Sequence, residues 1–233
     1  MVPQVDVFWT NLDAAANALP AWLALLDSNE GARATRFRLE RDRHRYIACH
    51  GILRLLLSRY TDRAPAALRF DVTGYGKPAL SNSELRFNIS HSHQLALFAI
   101  SRDVTVGCDV EWHDERFLAE NIPEHFFSPA EVAELNTVPQ ADRLTAFFAG
   151  WTRKEAYIKA RGLGMSLPLN RFDVSLSASA QPSLYRGCDG WSARAFEPAP
   201  RCSAAVIAEG HAWQMTVQPL DALALLTESR TAA

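Results

Sequence analysis

The stretch AFFAGWTRKEAYIKARGLG, residues 146–164, is predicted to be the end of a long helix. We expect this helix over residues 142–161, because Gly162 and Gly164 favour termination directly after it. A shorter helix is expected to begin after Ser128, which is followed by a proline and then by a glutamate at the third helical position. Strand-like runs follow the long helix at 172–176, 191–196, 204–208 and 213–217.

The first half of the chain shows the same order of elements. An arginine-rich segment, residues 33–60, has the pattern of an amphipathic helix. Strand-like runs follow it at 68–72, 85–89, 95–100 and 104–111. The chain contains no fixed-period repeat and no low-complexity linker. We therefore predict a mixed α+β fold with two similar halves, residues 1–112 and 113–233, which pack as one unit and join near Trp112.

Composition and charge exclude several classes of protein. The 233 residues include 24 Lys+Arg and 26 Asp+Glu, which gives a net charge of -2. A protein that coats nucleic acid is expected to be strongly basic, so this function is not indicated. The longest apolar run, residues 19–26, is far shorter than the roughly 20 residues that span a bilayer, and the N-terminus lacks the pattern of a secretory signal. The four cysteines have no CxxC spacing and are predicted to be buried thiols. We expect a cytoplasmic protein with no nucleic-acid or membrane partner.

Two carboxylates in the segment VTVGCDVE, residues 104–111, are the first candidates for chemistry. Asp109 and Glu111 are two residues apart, so on a strand they share one face with Cα atoms about 6.6 Å apart. Such a pair can hold Mg2+ together with substrate phosphate oxygens, and Gly107 suits a close approach of backbone or ligand. The alternative for this pair alone is the ordinary polar face of an edge strand.

The long helix carries a second candidate pair. Glu155 and Lys159 are four residues apart on one helical face, and Lys154 is adjacent to Glu155. Alone, these residues are equally typical of an exposed salt bridge worth a few tenths of a kcal/mol.

The sequence NISHSH, residues 88–93, combines hydroxyl and imidazole groups at the end of a predicted strand. His91 and His93 have no third ligand at a typical spacing, so a zinc site is not expected. Ser90 and His91 can instead donate hydrogen bonds to phosphate oxygens, and Lys77 in the turn GYGKP adds a cation. The sequence contains neither a GxSxG nucleophile motif nor a P-loop.

Four motifs taken together resemble the Sfp-type 4'-phosphopantetheinyl transferases, in the same order and at similar spacings. They are GKP (76–78), FNISHS (87–92), GCDVE (107–111) and FFAGWTRKEAYIKARGLGMSLPL (147–169). The resemblance covers residues 33–174. It implies two α/β halves related by a pseudo-twofold, with coenzyme A bound in the cleft between them.

The resemblance also implies roles for individual residues. The acidic residues that match those holding Mg2+ in the family, with Mn2+ as an alternative ion, are Asp109, Glu111 and Glu155. The positions that match coenzyme A contacts are Arg45, Lys77, Ser90, His91, Lys154 and Lys159. We expect Glu155, Lys159 and His91 to be catalytic, with Glu155 or a water activated by the metal as the base and the other two supplying charge or hydrogen bonds.

Two positions depart from the family pattern. Cys108 replaces the usual branched aliphatic residue of GxDxE, and we expect it to be tolerated as a small buried hydrophobic group. Glu30 stands where many relatives carry a basic residue, and Arg33 is expected to provide the phosphate contact instead.

The implied reaction is an attack by a carrier-protein serine on the phosphorus that bears pantetheine, with release of 3',5'-ADP. The expected partners are coenzyme A and an apo acyl or peptidyl carrier protein, and the expected state is a monomer. The arginines between residues 33 and 45 either attract an acidic carrier or bind phosphate and face solvent. Two alternatives stay open: a Mg2+-dependent hydrolase of coenzyme A or another nucleotide pyrophosphate, and a non-catalytic module that binds coenzyme A or a carrier. The sequence does not encode which pathway the carrier serves.

Overall fold

The computed structural model describes residues 1–72 and 74–231, without the side chains of residues 119, 165, 230 and 231. The helices are α1 (Leu19–Leu23), α2 (Ser28–Ala34), α3 (Glu40–Thr61), α4 (Arg116–Ala119), α5 (Ile122–Phe126), α6 (Pro129–Thr137), α7 (Gln140–Arg161) and α8 (Ala222–Thr231). The strands are β1 (Gln4–Asn11), β2 (Phe70–Val72), β3 (Pro78–Leu80), β4 (Arg86–Ser92), β5 (Leu95–Ser101), β6 (Val106–Trp112), β7 (Trp191–Phe196), β8 (Cys202–Glu209) and β9 (Gln214–Pro219). Within the described residues, no helix is both long enough and apolar enough to cross a membrane.

Two sheets pack face to face in the centre of the molecule. The first sheet has the strand order β4-β5-β1-β9 and the second has the order β6-β8-β7, while β2 and β3 form a separate hairpin. Along β5, Phe98 and Ile100 lie in one buried cluster with the apolar residues of α3, and Leu97 and Ala99 lie in another with the second sheet. Because successive side chains of a strand point to opposite faces, β5 is covered on both faces and is apolar from Leu95 to Ile100.

Strand β8 shows the same two-sided burial in the second sheet. Ala204 and Val206 face the first sheet, whereas Ala205 and Ile207 lie in a cluster with α7. The order of layers is therefore α3, first sheet, second sheet and α7. The predicted mixed α+β class is confirmed.

Each sheet combines strands from both halves of the chain. Strand β6 pairs with β8 antiparallel, so that Asp109 lies opposite Ala205 in the second sheet. Strand β9, from the end of the chain, pairs in parallel with β1, with Val217 opposite Val7. The division proposed at Trp112 therefore falls at the end of a strand that belongs to the second sheet.

Most of the predicted helices are present, with one correction. Helix α7 ends at Gly162, which adopts the left-handed conformation with φ of 63°. Ser128 caps α6, and Glu131 completes the expected reciprocal hydrogen bonds. The helix predicted over 33–60 is present as α3 but begins later, at Glu40, because residues 33 and 34 belong to the separate helix α2, which Asp27 caps.

The strand predicted over residues 172–176 is also wrong. Phe172, Val174 and Leu176 are buried, as their alternation indicates, but Val174 forms only an isolated bridge. Residues 173 and 175 form backbone hydrogen bonds with residues 183–186, and the backbone N–H of Val174 donates to the Glu131 carboxylate at 2.8 Å, so the backbone pairing is limited to this short stretch.

Candidate active site

Helix α7 lies directly against the backbone of β6 because both surfaces are made of small residues. A Cβ atom at Gly107 would lie 2.2 Å from the backbone nitrogen of Ala160 and 2.3 Å from the carbonyl oxygen of Ala156. Any residue larger than glycine would force the helix away from the strand. This close approach, which the sequence indicated at Gly107, brings Glu155 and Lys159 of α7 beside Asp109 of β6.

Asp109, Ser90 and Lys159 form a hydrogen-bonded triangle. Lys159 Nζ donates to Asp109 Oδ1 at 2.6 Å and to Ser90 Oγ at 2.9 Å, while Ser90 Oγ donates to the same Asp109 oxygen at 2.7 Å. Burial acts to lower the pKa of Lys159, but the charge and hydrogen bond of Asp109 outweigh it and raise that pKa. Lys159 is therefore a stable cation at neutral pH.

The negative charge of the three carboxylates near Lys159 exceeds the single positive charge that Lys159 supplies. Burial and the charge of Asp109 raise the pKa of Glu111 to about 7, and the same two causes raise the pKa of Glu155. Asp109 is 2% exposed, and its Oδ2 atom is buried without a hydrogen-bond partner among the described residues. A buried oxygen without a donor is costly, so this site favours a further cation.

The donor set fits a hard divalent cation that binds together with a substrate. No three His, Cys, Asp or Glu side chains in the described part of the chain are close enough to form a complete metal cluster on their own. Mg2+ does not need one, because it usually takes one or two carboxylates and completes its shell with substrate phosphates and water. Asp109 with its unpartnered oxygen, Glu111 and Glu155 supply the carboxylates that this mode requires.

Alternate polar residues of β4 join the first sheet to β6. The Asn88 side-chain oxygen accepts from Cys108 N at 2.8 Å, and Ser92 Oγ donates to Glu111 Oε2 at 2.7 Å. With Ser90 between them, these residues form what we name the β4 polar row. Asn88 and Ser92 were not predicted as site residues, although polar residues at every second position of a buried strand indicate such a row.

Ser90 lies in the middle of the β4 polar row, where its hydroxyl has two partners. Ser90 is 7% exposed, and its hydroxyl donates to Asp109 and accepts from Lys159, so its hydrogen is used within the site. Ser90 therefore contacts both Asp109 and Lys159, and the expected contact between its hydroxyl and coenzyme phosphate stays a prediction.

Three clefts adjoin the site on the surface. The lysine cleft is lined by Lys77, Asn88, Ile89, Glu155 and Lys159, the middle cleft by Arg33, Tyr46, His50 and Ile89, and the histidine cleft by Arg45, Tyr46, His91 and His93. Neighbouring clefts share Tyr46 or Ile89, so they form one continuous trough. The trough has cationic side chains along its length and the Asp109 site beside it.

The cations of the trough have distinct environments. Lys77 Nζ donates to the carbonyl oxygens of Val106 and Ala160 at 2.9 and 3.1 Å, and burial lowers its pKa to about 8. Arg45 forms a two-pronged pair with Asp13, with both nitrogen-to-oxygen distances 2.7 Å. His91 lies at the surface, and partial desolvation by the surrounding protein together with the Lys159 charge lowers the pKa of His91. At neutral pH His91 is therefore a neutral donor or acceptor.

Lys154 lies elsewhere, and its predicted role in coenzyme binding is wrong. Its ammonium group is fully buried, pairs with Glu131 at 2.7 Å and donates to the carbonyl oxygens of Leu169 and Phe172 at 2.8 and 2.7 Å. A lysine has three N–H donors, so these contacts leave none for a ligand. Lys154 instead holds the segment that follows α7.

The two departures from the family pattern have structural explanations. Glu30 caps α2 together with Asp27 and accepts from the buried Arg54 at 2.7 Å, so its charge is neutralised inside the protein. Arg33 lines the middle cleft with its guanidinium 5.8 Å from the centre of the Tyr46 ring, so the expected substitute cation is present in the trough. Cys108 is fully buried, as expected, and so are the other three cysteines.

Comparison with known proteins supports one family over nearly the whole chain. The family model described as 4'-phosphopantetheinyl transferase, N-terminal, matches residues 11–102, and the model of the 4'-phosphopantetheinyl transferase superfamily matches residues 105–215. The chain is 35% identical over 215 residues to 4'-phosphopantetheinyl transferase HetI of Nostoc sp. strain PCC 7120, which covers 91% of this chain and 90% of the relative. It is 29% identical over 164 residues to 4'-phosphopantetheinyl transferase Sfp of Bacillus subtilis strain 168, which covers 70% of this chain and 72% of the relative.

Proposed function

The chain belongs to the 4'-phosphopantetheinyl transferase superfamily and transfers phosphopantetheine from coenzyme A to carrier proteins, and we propose that it does so where the β4 polar row meets β6. The observation that supports this location most strongly is the buried, unpartnered Asp109 Oδ2 beside Lys159. A site that binds a phosphate-rich coenzyme and a cation is expected to contain polar atoms that have no partner until the ligands are bound.

We propose that Asp109, Glu111 and Glu155 hold Mg2+. The ion, when bound, supplies positive charge that stabilises the developing charge on the pyrophosphate of coenzyme A. The raised pKa values of Glu111 and Glu155 support this assignment, because carboxylates that repel one another become favourable once a divalent cation lies between them.

The trough is the proposed binding site for coenzyme A. Arg45 and His91 at one end and Lys77 at the other provide groups that pair with or donate to phosphate oxygens. An extended dinucleotide-like coenzyme suits a long continuous trough better than a closed cavity. Arg33 beside Tyr46 extends the cationic lining through the middle cleft.

In the proposed reaction the hydroxyl oxygen of a carrier serine forms a bond to the phosphorus that bears pantetheine. The bond from that phosphorus to the bridging oxygen of 3',5'-ADP breaks, and the nucleotide leaves with the electron pair. Glu155 accepts the serine proton, directly or through a water, because it is an ionisable carboxylate beside Asp109 at the proposed reaction centre. Lys159 keeps its proton and neutralises phosphate charge, and His91 donates a hydrogen bond from its neutral ring.

We also propose that α3 with the first sheet and α7 with the second sheet are related by a pseudo-twofold. The support is that each is a long helix on the outer face of a sheet and that the site lies where the two sheets meet. The enzyme is proposed to act as a monomer on an apo acyl or peptidyl carrier protein, with the arginines between residues 33 and 45 attracting an acidic carrier.

Intact-mass spectrometry of carrier proteins tests the proposed location and mechanism. The purified enzyme is incubated with coenzyme A, Mg2+ and apo carriers from fatty acid, polyketide and nonribosomal peptide synthesis, and one phosphopantetheine adduct is expected on at least one of them. Asp109→Ala is expected to form no adduct over the same time. Full activity of this variant would contradict the location. Release of phosphopantetheine without any carrier would indicate the hydrolase, and calorimetric carrier binding without transfer would indicate a binding module.

A further inference from the structure

One histidine of the trough, His50, has no role in the proposed reaction. It belongs to α3 and lines the middle cleft, and its side chain is 22% exposed. Its Nδ1 atom lies 2.9 Å from Oε1 of Glu30. Burial acts to raise the pKa of Glu30, but hydrogen bonds from His50 and from the backbone of Asp27 outweigh it and lower that pKa. Glu30 is therefore ionised at neutral pH and can only accept, so Nδ1 of His50 carries the hydrogen.

The other ring nitrogen of His50 is open to a ligand. Nε2 has no hydrogen-bond partner among the described residues, yet it is not one of the buried atoms that lack a partner, so it is accessible from outside. His50 also acts electrostatically on His91 in the histidine cleft, so its ring lies on the side of α3 that faces the trough. Because Glu30 holds the hydrogen on Nδ1, Nε2 of the neutral ring is an acceptor with a fixed orientation.

The rest of the middle cleft suits a flat apolar ring. The centre of the Tyr46 ring lies 4.1 Å from that of His50, so the open acceptor is next to an aromatic side chain. The volume of the cleft is about 220 Å3, which suits one ring system rather than a whole coenzyme. Its apolar lining consists of Leu53, Phe70, Val72, Pro78 and Ile89.

The charges around the cleft do not favour a phosphate at His50. Asp27 and Glu30 both line the cleft, and both pair with the same buried Arg54, at 2.8 and 2.7 Å. Among the described lining residues Arg33 supplies one further positive charge, so the two carboxylates are balanced without any excess of cations. A phosphate oxygen also accepts rather than donates, so it does not match the neutral His50 ring. The ligand group that meets Nε2 is therefore a hydrogen-bond donor.

We propose that His50 recognises the adenine of coenzyme A by accepting a hydrogen bond from its 6-amino group, and that Glu30 is the positioning residue for His50. This inference rests on the proposed binding of coenzyme A in the trough. Of the donor groups of the coenzyme, the 6-amino group is the one attached to a flat aromatic ring, which the apolar lining and Tyr46 match. Glu30 therefore does not contact the coenzyme but holds the residue that does.

Calorimetric titration with two coenzymes tests this contact. The full-length enzyme with Mg2+ is titrated with coenzyme A and, separately, with an analogue in which hydrogen replaces the 6-amino group of the adenine. Coenzyme A is expected to bind about tenfold more tightly than the analogue, because the analogue leaves the accepting nitrogen without a donor. Equal affinity for the two coenzymes would overturn the proposal.

Three variants show whether the preference for the amino group comes from His50. His50→Phe keeps an aromatic ring but no acceptor, so it is expected to bind coenzyme A about tenfold more weakly and the analogue with unchanged affinity. His50→Gln is expected to keep most of the preference, because its amide can donate to Glu30 and accept from the amino group. His44→Phe is the matched control, because His44 also lies on α3 and pairs with Glu40 at 3.4 Å but is not among the lining residues of the three clefts. A preference that survives in His50→Phe, or that is lost equally in His44→Phe, would overturn the proposal.

Transfer kinetics separate this contact from the proposed location of the reaction. With an apo carrier, His50→Phe is expected to raise the KM for coenzyme A and to keep the normal rate at saturating coenzyme, because the contact is present in both the ground state and the transition state. If the unmodified enzyme showed the binding preference but Asp109→Ala kept full activity, the contact at His50 would stand and the proposed location would fail. A lower saturated rate in His50→Phe with an unchanged KM would overturn the contact.

Discussion

Helix α7 contributes one lysine to each of two ion pairs of nearly equal length. The inner pair, Lys154 with Glu131, has hydrogen-bond partners for all its polar atoms, whereas the outer pair, Lys159 with Asp109, does not. Lys154 and Glu131 are 2.7 Å apart, and Lys159 and Asp109 are 2.6 Å apart. Around the first pair every donor and acceptor is used: Lys154 bonds two carbonyl oxygens, and Glu131 accepts the backbone N–H groups of Ser128 and Val174. Around the second pair an Asp109 oxygen is left without a partner.

The comparison shows that an ion pair indicates a functional site when some of its donor or acceptor atoms have no hydrogen-bond partner in the protein. The inner pair is 0% and 2% exposed in its side chains and has completed its hydrogen bonds, so it behaves as part of the core. The lysine of the outer pair is 29% exposed and adjoins the trough, and two neighbouring carboxylates have raised pKa values. Of the two pairs, the outer one retains a buried carboxylate oxygen without a partner, and it is therefore the one proposed to serve a metal ion.

The largest expected effect on stability comes from breaking the inner pair. Lys154→Met leaves the Glu131 charge buried without its cation, and it is expected to lower the free energy of unfolding by about 3 to 5 kcal/mol. Urea denaturation measures this change. Transfer per folded molecule is expected to stay near normal, and loss of transfer without loss of stability would show that Lys154 has a catalytic role.

Lys159→Met is the matched control for that change. It leaves Asp109 with one hydroxyl donor, so it is also expected to lower stability. Addition of Mg2+ is expected to restore most of the stability lost in Lys159→Met, because Asp109 is a proposed metal ligand, and none of that lost in Lys154→Met. Equal restoration in both variants would contradict the distinction between the two pairs.

The next effect concerns the acidic members of the two pairs. Asp109→Asn keeps the size of the side chain but removes the charge, and it is expected to reduce the transfer rate at least about a hundredfold and to weaken Mg2+ binding measured by calorimetry. Glu131→Gln, the corresponding change in the inner pair, is expected to reduce stability and leave the transfer rate per folded molecule unchanged. The reverse pattern would show that the metal site has been assigned to the wrong carboxylate.

Sequence reasoning named both members of the outer pair, although not their ion pair, and it missed the partners of the inner pair for a physical reason. Periodicity singled out Asp109 and Lys159, and the resemblance to the family proposed their roles in the site. Lys154 belongs to the same motif, yet its role depends on Glu131 and on carbonyl groups of residues 169 and 172, which only tertiary packing brings to it. Local patterns do not specify such partners.

The same limit explains the unpredicted arrangement of strands. The apolar runs of β5 and β8 indicate burial on both faces, and this was sufficient to predict strands. Hydrophobicity does not specify which strand pairs with which, so neither the pairing of β6 with β8 nor that of β9 with β1 followed from the pattern. The β4 polar row lies at the resulting join, which is why Asn88 and Ser92 were missed.

A smaller effect is expected in the dependence of stability on pH. In the folded protein without metal the pKa of Glu111 is raised to about 7 by burial and the Asp109 charge, against 4.5 for the ordinary group. The folded state therefore binds more protons than the unfolded state between these values, so stability is present below about pH 4.5 and falls as pH rises to about 7. We expect a loss of roughly 2 to 3 kcal/mol over this range, measured by urea denaturation in EDTA.

Two controls separate this effect from general acid sensitivity. Glu111→Gln is expected to remove most of the fall in stability, and Mg2+ is expected to oppose it increasingly as pH rises, because the ion favours ionised carboxylates. A fall of the same size in Glu111→Gln would show that another group is responsible.

The smallest expected effects distinguish the two hydroxyl groups that accompany the pairs. Ser90→Ala removes a donor from Asp109 and an acceptor from Lys159 but leaves their 2.6 Å contact, so the transfer rate is expected to fall about tenfold with little change in the KM for coenzyme A. Ser128→Ala removes the cap of α6 beside Glu131 and is expected to cost about 1 kcal/mol of stability with a normal transfer rate. Steady-state kinetics and urea denaturation of both variants measure the contrast. If Ser90→Ala raised only the KM for coenzyme A and left the transfer rate unchanged, Ser90 would contact the coenzyme directly instead of orienting Asp109 and Lys159.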